Sequence, residues 1–183
     1  MASAIDLLNF HRFCLTDPAT EVFQKAISAS VEPGDLVVDI GAGTGILSFF
    51  ACEAGARHVY AVEADESIEL AKVLALANGF GDRITFIKSL SYQLELSEKA
   101  DVVISNTLEC FGVEGGLVGT MIDARERFLK HDGLMIPQGL GLYLAPIEFE
   151  QKYLSSVDIW NERLFGYDFS NIRTYSVNNR YGV

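Results

Sequence analysis

Between residues 36 and 136 short β-branched runs alternate with longer amphipathic stretches, and that alternation leaves few folds open. The runs Leu36–Ile40, His58–Val62, Ile84–Ile87, Asp101–Ser105 and Gly133–Ile136 have the length and the Val/Ile content of buried parallel strands. Helical patterns lie between them. One covers Ile46–Cys52 and stops near Gly55. A second is capped by Asp65, carries Ile68, Ala71, Leu74 and Ala75 at three- and four-residue spacing, and stops at Gly79. A third runs from about Leu117 to Leu129. Ahead of the first strand, Asp17 as N-cap and Pro18 in the first turn predict a helix to about Ser28. Repeated βαβ units of this kind make a doubly wound α/β domain of Rossmann-like type, placed at 34–137 behind an N-terminal helical segment at 1–33.

The texture changes after Pro137. Leu140, Leu142 and Leu144 alternate with Gly141 and Tyr143, the period of an antiparallel strand with one buried face, so 138–183 reads as a short β-rich C-terminal extension. Trp160, Phe165, Tyr167 and Phe169 are expected to form its core. So few residues cannot close an ordinary barrel or sandwich, which makes the extension a truncated barrel, in a fragment or an unusually short chain.

Composition narrows the partners. Fourteen basic against 25 acidic residues leave a net charge of −11 over 183 residues, a field that repels phosphate backbones and supplies no counterion-release energy. No nucleic-acid partner is expected. No apolar run approaches the roughly 18 residues that cross a membrane, and no leader pattern opens the chain. Cys14, Cys52 and Cys110 cannot all be paired within one chain and lie in or beside apolar stretches, as reduced thiols of a cytoplasmic protein would. The three histidines stand apart, and no metal site is expected.

The chemistry concentrates after the first strand. Gly41-Ala42-Gly43-Thr44-Gly45 sits where a strand gives way to a helix, and missing Cβ atoms there let the backbone turn tightly and approach a ligand. A turn of this composition also occurs as mere packing. Asp39, two residues ahead, suits a cationic or zwitterionic ligand, and S-adenosylmethionine, with an ammonium and a sulfonium, is one. Glu63 closes the second strand 18 residues after Gly45, where a carboxylate can accept both ribose hydroxyls of an adenosine.

Two stretches, Val37-Val-Asp-Ile-Gly-Ala-Gly-Thr-Gly-Ile-Leu-Ser48 and Ala54-Gly-Ala-Arg-His-Val-Tyr-Ala-Val-Glu63, resemble the first two motifs of class I S-adenosylmethionine-dependent methyltransferases, and of protein arginine methyltransferases in particular. Asp132-Gly-Leu-Met-Ile-Pro137 is similar to that family's passage from its last strand into a β-barrel. Trp160-Asn-Glu-Arg-Leu-Phe-Gly-Tyr-Asp-Phe-Ser170 is similar to its aromatic-Gly-aromatic-Asp segment. The resemblance implies cofactor contacts from Asp39, Gly41, Ala42, Gly43, Gly45, Glu63 and Ala64, and an adenine-side loop mapping to Ser89–Tyr92. Within that loop Ser91 and Tyr92 are the candidates, Tyr92 either lying against the base or filling an apolar edge.

Departures from the family bear on the methyl acceptor. The resemblance implies two glutamates after the fourth strand to hold a guanidinium, and at the first position this chain has Asn106. Glu109 and Glu114 remain nearby, as partial replacements or as solvated loop residues. The candidate catalytic residues are therefore Asn106, Glu109 and Glu114. Three functions stay open on the sequence: transfer of a methyl group from S-adenosylmethionine to a protein side chain or a small molecule, a non-catalytic cofactor-binding or scaffolding module of the same fold, and a nicotinamide-dependent oxidoreductase. The oligomeric state is not given by the sequence.

Overall fold

The computed structural model describes residues 12, 15–108, 116–143, 145–146 and 148–179. They fall into two compact units, 1–142 and 143–183. In the first unit five parallel strands, β1 (Leu36–Ile40), β2 (His58–Glu63), β3 (Ile84–Lys88), β4 (Ala100–Ile104) and β5 (Leu129–Ile136), lie in the order β3-β2-β1-β4-β5. The order reverses between β1 and β4, and in such sheets ligands bind beyond the carboxyl ends of the strands at that reversal.

Every residue of β1 is buried, as the central strand of a sheet covered on both faces must be. Val37 faces a cluster with Phe23 and Ile27 of α1 (Pro18–Ser30), Leu47 and Ala51 of α2 (Ile46–Ala54), and Ile68 and Ala75 of α3 (Ser67–Ala77). Leu36, Val38 and Ile40 face the other cluster, with Val103, Ala124 and Phe128 at the end of α4 (Leu117–Arg127).

The helix ends follow from local chemistry. Asp17 Oδ1 accepts the Ala19 amide at 2.7 Å, and Pro18 opens α1. Gly55, at φ 112°, closes α2 in the left-handed conformation that glycine adopts without strain. Asp65 Oδ1 accepts the Ser67 amide at 2.7 Å and the Ser67 hydroxyl, so it does cap α3, from one residue ahead of the geometric N-cap Glu66.

Two expectations about individual strands need correction. The fifth strand begins at Leu129 and not at Gly133, because Leu129 pairs with Ala100 ahead of a register shift. Gly133 is needed within it: a Cβ there would lie 2.8 Å from the Asp101 carbonyl oxygen. The second correction concerns the tail. Residues 139–143 form no strand, since no neighbour pairs with them among the described residues.

The second unit carries α5 (Glu150–Ser156), α6 (Ile172–Val177) and a two-residue ladder between β6 (Arg163–Leu164) and β7 (Tyr167–Asp168), so it is more helical than β-rich. Its aromatic residues are not a core. Phe165 is 97% and Tyr167 70% exposed, while Trp160 is half-buried and donates Nε1–H to the Ser156 carbonyl at 3.1 Å. A unit of this size has too little surrounding structure to cover them, and from residue 143 on only Val157 and Ser176 are buried among the described residues.

Candidate active site

The glycine turn is fixed from below. The Gly41 and Ala42 amides donate to the Val62 carbonyl at 2.8 and 3.1 Å, tying the exit of β1 to the end of β2. Gly41, Gly43 and Gly45 have φ of 74°, 54° and 86°, the left-handed region that side chains rarely enter. At Gly41 space is closed as well. A Cβ there would lie 2.1 Å from Thr107 Cγ2. The loop leaving β4 therefore packs directly on the turn. Ser105 Oγ donates to the Ile40 carbonyl at 2.8 Å, so the 3.0 Å contact between Ser105 and Thr107 has the Thr107 hydroxyl as donor.

Glu63 grips the same turn. Its Oε2 accepts the Gly43 amide at 3.0 Å, and its Oε1 accepts the Ala64 and Asp65 amides at 2.6 and 3.1 Å. A carboxylate offers about four acceptor positions, so these three amides leave roughly one free. A ribose diol at Glu63 must therefore share or displace one amide.

Asp39 lies behind the turn. It is wholly buried, and its Oδ2 accepts the Ser48 hydroxyl at 2.6 Å, pinning the first turn of α2 to β1. Its Oδ1 has no partner among the described residues. Burial pushes its pKa up to about 7, against the lowering effect of hydrogen bonds from Ser48, with Glu63 adding a smaller push upward. The sequence suggests direct compensation of a ligand's positive charge; the structure gives Asp39 no exposed surface from which to provide it.

A cleft of about 220 Å³ opens over these groups. Of the sequence-predicted residues, Gly41, Glu63, Ala64 and Ser91 line it. Ala42, Gly43 and Gly45 shape the turn without lining the cleft, and Tyr92 stands beside Ser91 with 62% of its surface exposed. Asn106 is half-buried at the exit of β4, next to Thr107, which does line the cleft. Glu109 and Glu114 lie outside the described residues. Sequence reasoning missed Thr107, and also Leu117 and Thr120 of α4, which complete the wall. A signal for Thr107 existed in its place just after strand four, at the reversal of strand order.

Larger openings of about 300 and 660 Å³ flank β5, but neither includes the glycine turn or Glu63, so chemistry and not volume selects the site. The residues present fit S-adenosylmethionine. Glycine at 41 lets the Thr107 loop close on the turn at the edge of the cleft, a carboxylate held at Glu63 suits ribose, and Ser89, Leu90 and Ser91 offer a wall for a base.

Comparison with known proteins bears on the family and the fold. Residues 16–141 match the family described as ribosomal protein L11 methyltransferase (PrmA). Over 166 residues the chain is 37% identical to the probable protein arginine N-methyltransferase 6 of Arabidopsis thaliana, covering 89% of this chain and 38% of that one. Over 133 residues it is 45% identical to the probable histone-arginine methyltransferase CARM1 of Oryza sativa subsp. japonica, covering 72% and 25%. The chain thus spans well under half the length of these curated relatives. Among solved structures, the Trypanosoma brucei PRMT1 enzyme-prozyme heterotetrameric complex with AdoHcy superposes with a TM-score of 0.76 at 31% identity, covering 86% of this chain and 50% of that one. Arabidopsis thaliana protein arginine methyltransferase 10, in an open conformation, gives 0.76 at 28% identity, with 92% and 53% covered. These matches and the fold show that the chain belongs to the class I S-adenosylmethionine-dependent methyltransferases and is similar, within them, to the protein arginine methyltransferases.

Proposed function

We propose that this chain binds S-adenosylmethionine in the cleft between the glycine turn, Glu63 and Ser91, and that it serves methyl transfer to a protein side chain, with a small-molecule acceptor as the alternative. The observation that carries the reading is the convergence of these groups on one cleft beside the reversal of strand order. When bound, the cofactor supplies a sulfonium-activated methyl group for in-line displacement. In this assignment Glu63 accepts the ribose hydroxyls, while the turn at 41–45 admits the close approach of the ligand. Ser91 and Tyr92 border the base. Asn106 and Thr107 stand on the acceptor side, with Glu109 and Glu114 retained as candidates there. Asp39 acts by holding the turn through Ser48 and not by contact. Rate enhancement then rests on holding a nucleophile near the methyl carbon, an effect worth roughly 7–11 kcal/mol of barrier. The buried thiol of Cys52 is in keeping with a reducing, cytoplasmic setting. No helix of the described residues is long and apolar enough to cross a membrane.

Arginine is the disfavoured acceptor. A guanidinium is oriented best by paired, charge-assisted hydrogen bonds to carboxylates, and the Asn106 amide offers one neutral oxygen. Losing one or two such bonds lowers transfer by about ten- to ten-thousand-fold. Incubation of the chain with labelled S-adenosylmethionine, arginine-rich peptides, other basic peptides and basic metabolites is the test. Little or no label on arginine is expected; arginine turnover at about 1 per second or faster overturns the assignment of the acceptor side.

A further inference from the structure

The guanidinium of Arg127, outside the cleft, gathers more contacts than any role on a helix surface requires. Its Nε and one terminal nitrogen donate to the two oxygens of Asp123 at 2.7 and 2.6 Å. The terminal nitrogens also donate to the Leu94 carbonyl at 2.5 Å and the Ser91 carbonyl at 2.8 Å. Its central carbon lies 4.5 Å from the centre of the buried Phe128 ring, which holds the plane of the fork. Asp123 is paired so closely that its carboxyl is held below the usual range, chiefly by its hydrogen bonds from Arg127.

The two carbonyls belong to the short 3-10 turn Ser91–Gln93 and the residue after it, and Ser91 lines the cleft. The helix that ends at Arg127, α4, supplies Leu117 and Thr120 from its other end to the same lining. Arg127 therefore ties that turn, across 33 and 36 residues of chain, to the helix that contributes Leu117 and Thr120 to the same cleft. We infer that Arg127 is a positioning residue that fixes the base-side wall of the cofactor cleft against α4, an inference that rests on the reading of this cleft as the S-adenosylmethionine site. Only an arginine serves here. A lysine keeps the positive charge beside Asp123, but a single ammonium cannot span the carboxylate and both carbonyls in one plane.

The test combines calorimetric titration with S-adenosylhomocysteine and amide hydrogen exchange on wild type and Arg127→Lys. The amides of Gln93 and Leu94 close the turn by donating to the Leu90 and Ser91 carbonyls at 3.0 and 3.1 Å, so they report it directly. In Arg127→Lys we expect affinity about 10-fold weaker and these two amides exchanging at least about 10-fold faster, while the amides of β1 and β4 keep their wild-type rates. Asp123→Asn, which loosens the fork without removing it, is expected to give a smaller change of the same pattern, and it serves if the lysine variant does not fold. A uniform rise in exchange across the sheet, or unchanged affinity with a loosened turn, overturns the inference alone. A wild-type protein that takes no S-adenosylhomocysteine removes the cofactor reading and this inference together.

Discussion

Asp39→Asn is expected to raise stability, relative to wild type, by about 3–4 kcal/mol more at about pH 8 than at about pH 4. The sign follows from the direction of the shift. In the unfolded chain the carboxyl titrates near 3.8, whereas burial holds it protonated in the folded protein until about 7. Between these values the folded state binds the extra proton, so the contribution of Asp39 to stability is fully present below the lower value and is lost as pH rises through the upper one. Asparagine does not titrate, and its side-chain oxygen can still accept from Ser48. Urea unfolding of both proteins across that range measures the difference; a gap that stays constant with pH contradicts the assignment of a buried, proton-holding Asp39.

Gly41→Val is expected to weaken S-adenosylhomocysteine binding by at least about 100-fold, to the point of vanishing from an ordinary titration. Two effects add. The left-handed backbone at φ 74° costs a side-chain-bearing residue roughly 1–2 kcal/mol. A Cβ there also meets the Thr107 methyl at 2.1 Å, and Thr107 is tied through Ser105 to the Ile40 carbonyl, so relief displaces the loop that lines the cleft. Adding Thr107→Gly to the variant should recover part of the affinity, because it removes the collision and leaves the backbone strain. Normal binding by a folded Gly41→Val, checked by circular dichroism and calorimetry, places the ligand elsewhere.

The parts of this fold that can be read from sequence are those whose causes are local. A β-branched run, three glycines and a capping aspartate each act within a few residues, and β1, the turn, α2 and α1 lie close to where those signals put them. Asp39 shows the limit. Its spacing from the glycines suggests a ligand group, yet strand alternation puts it on the face of Val37, toward α2, where Ser48 meets it under the turn. The tail fails for another reason: Leu140 and Leu142 carry a strand's period, but a strand exists only with a neighbour to pair with, and periodicity does not supply one. Thr107 and Arg127 were hidden because their partners are dozens of residues away in sequence, brought close by the crossing of β4 beside β1 and by the return of α4 onto the turn after β3.

Titration of the chain with S-adenosylhomocysteine, beside Glu63→Ala and a parallel titration with reduced nicotinamide dinucleotide, tests the cofactor site most directly. Saturable binding at one site per chain is expected for wild type, weakened by about 1.5–3 kcal/mol in Glu63→Ala, the range for hydrogen bonds to a charged group, with no binding of the dinucleotide. Binding of the dinucleotide in place of S-adenosylhomocysteine, or equal affinity in wild type and a folded Glu63→Ala, would contradict the assignment of this cleft.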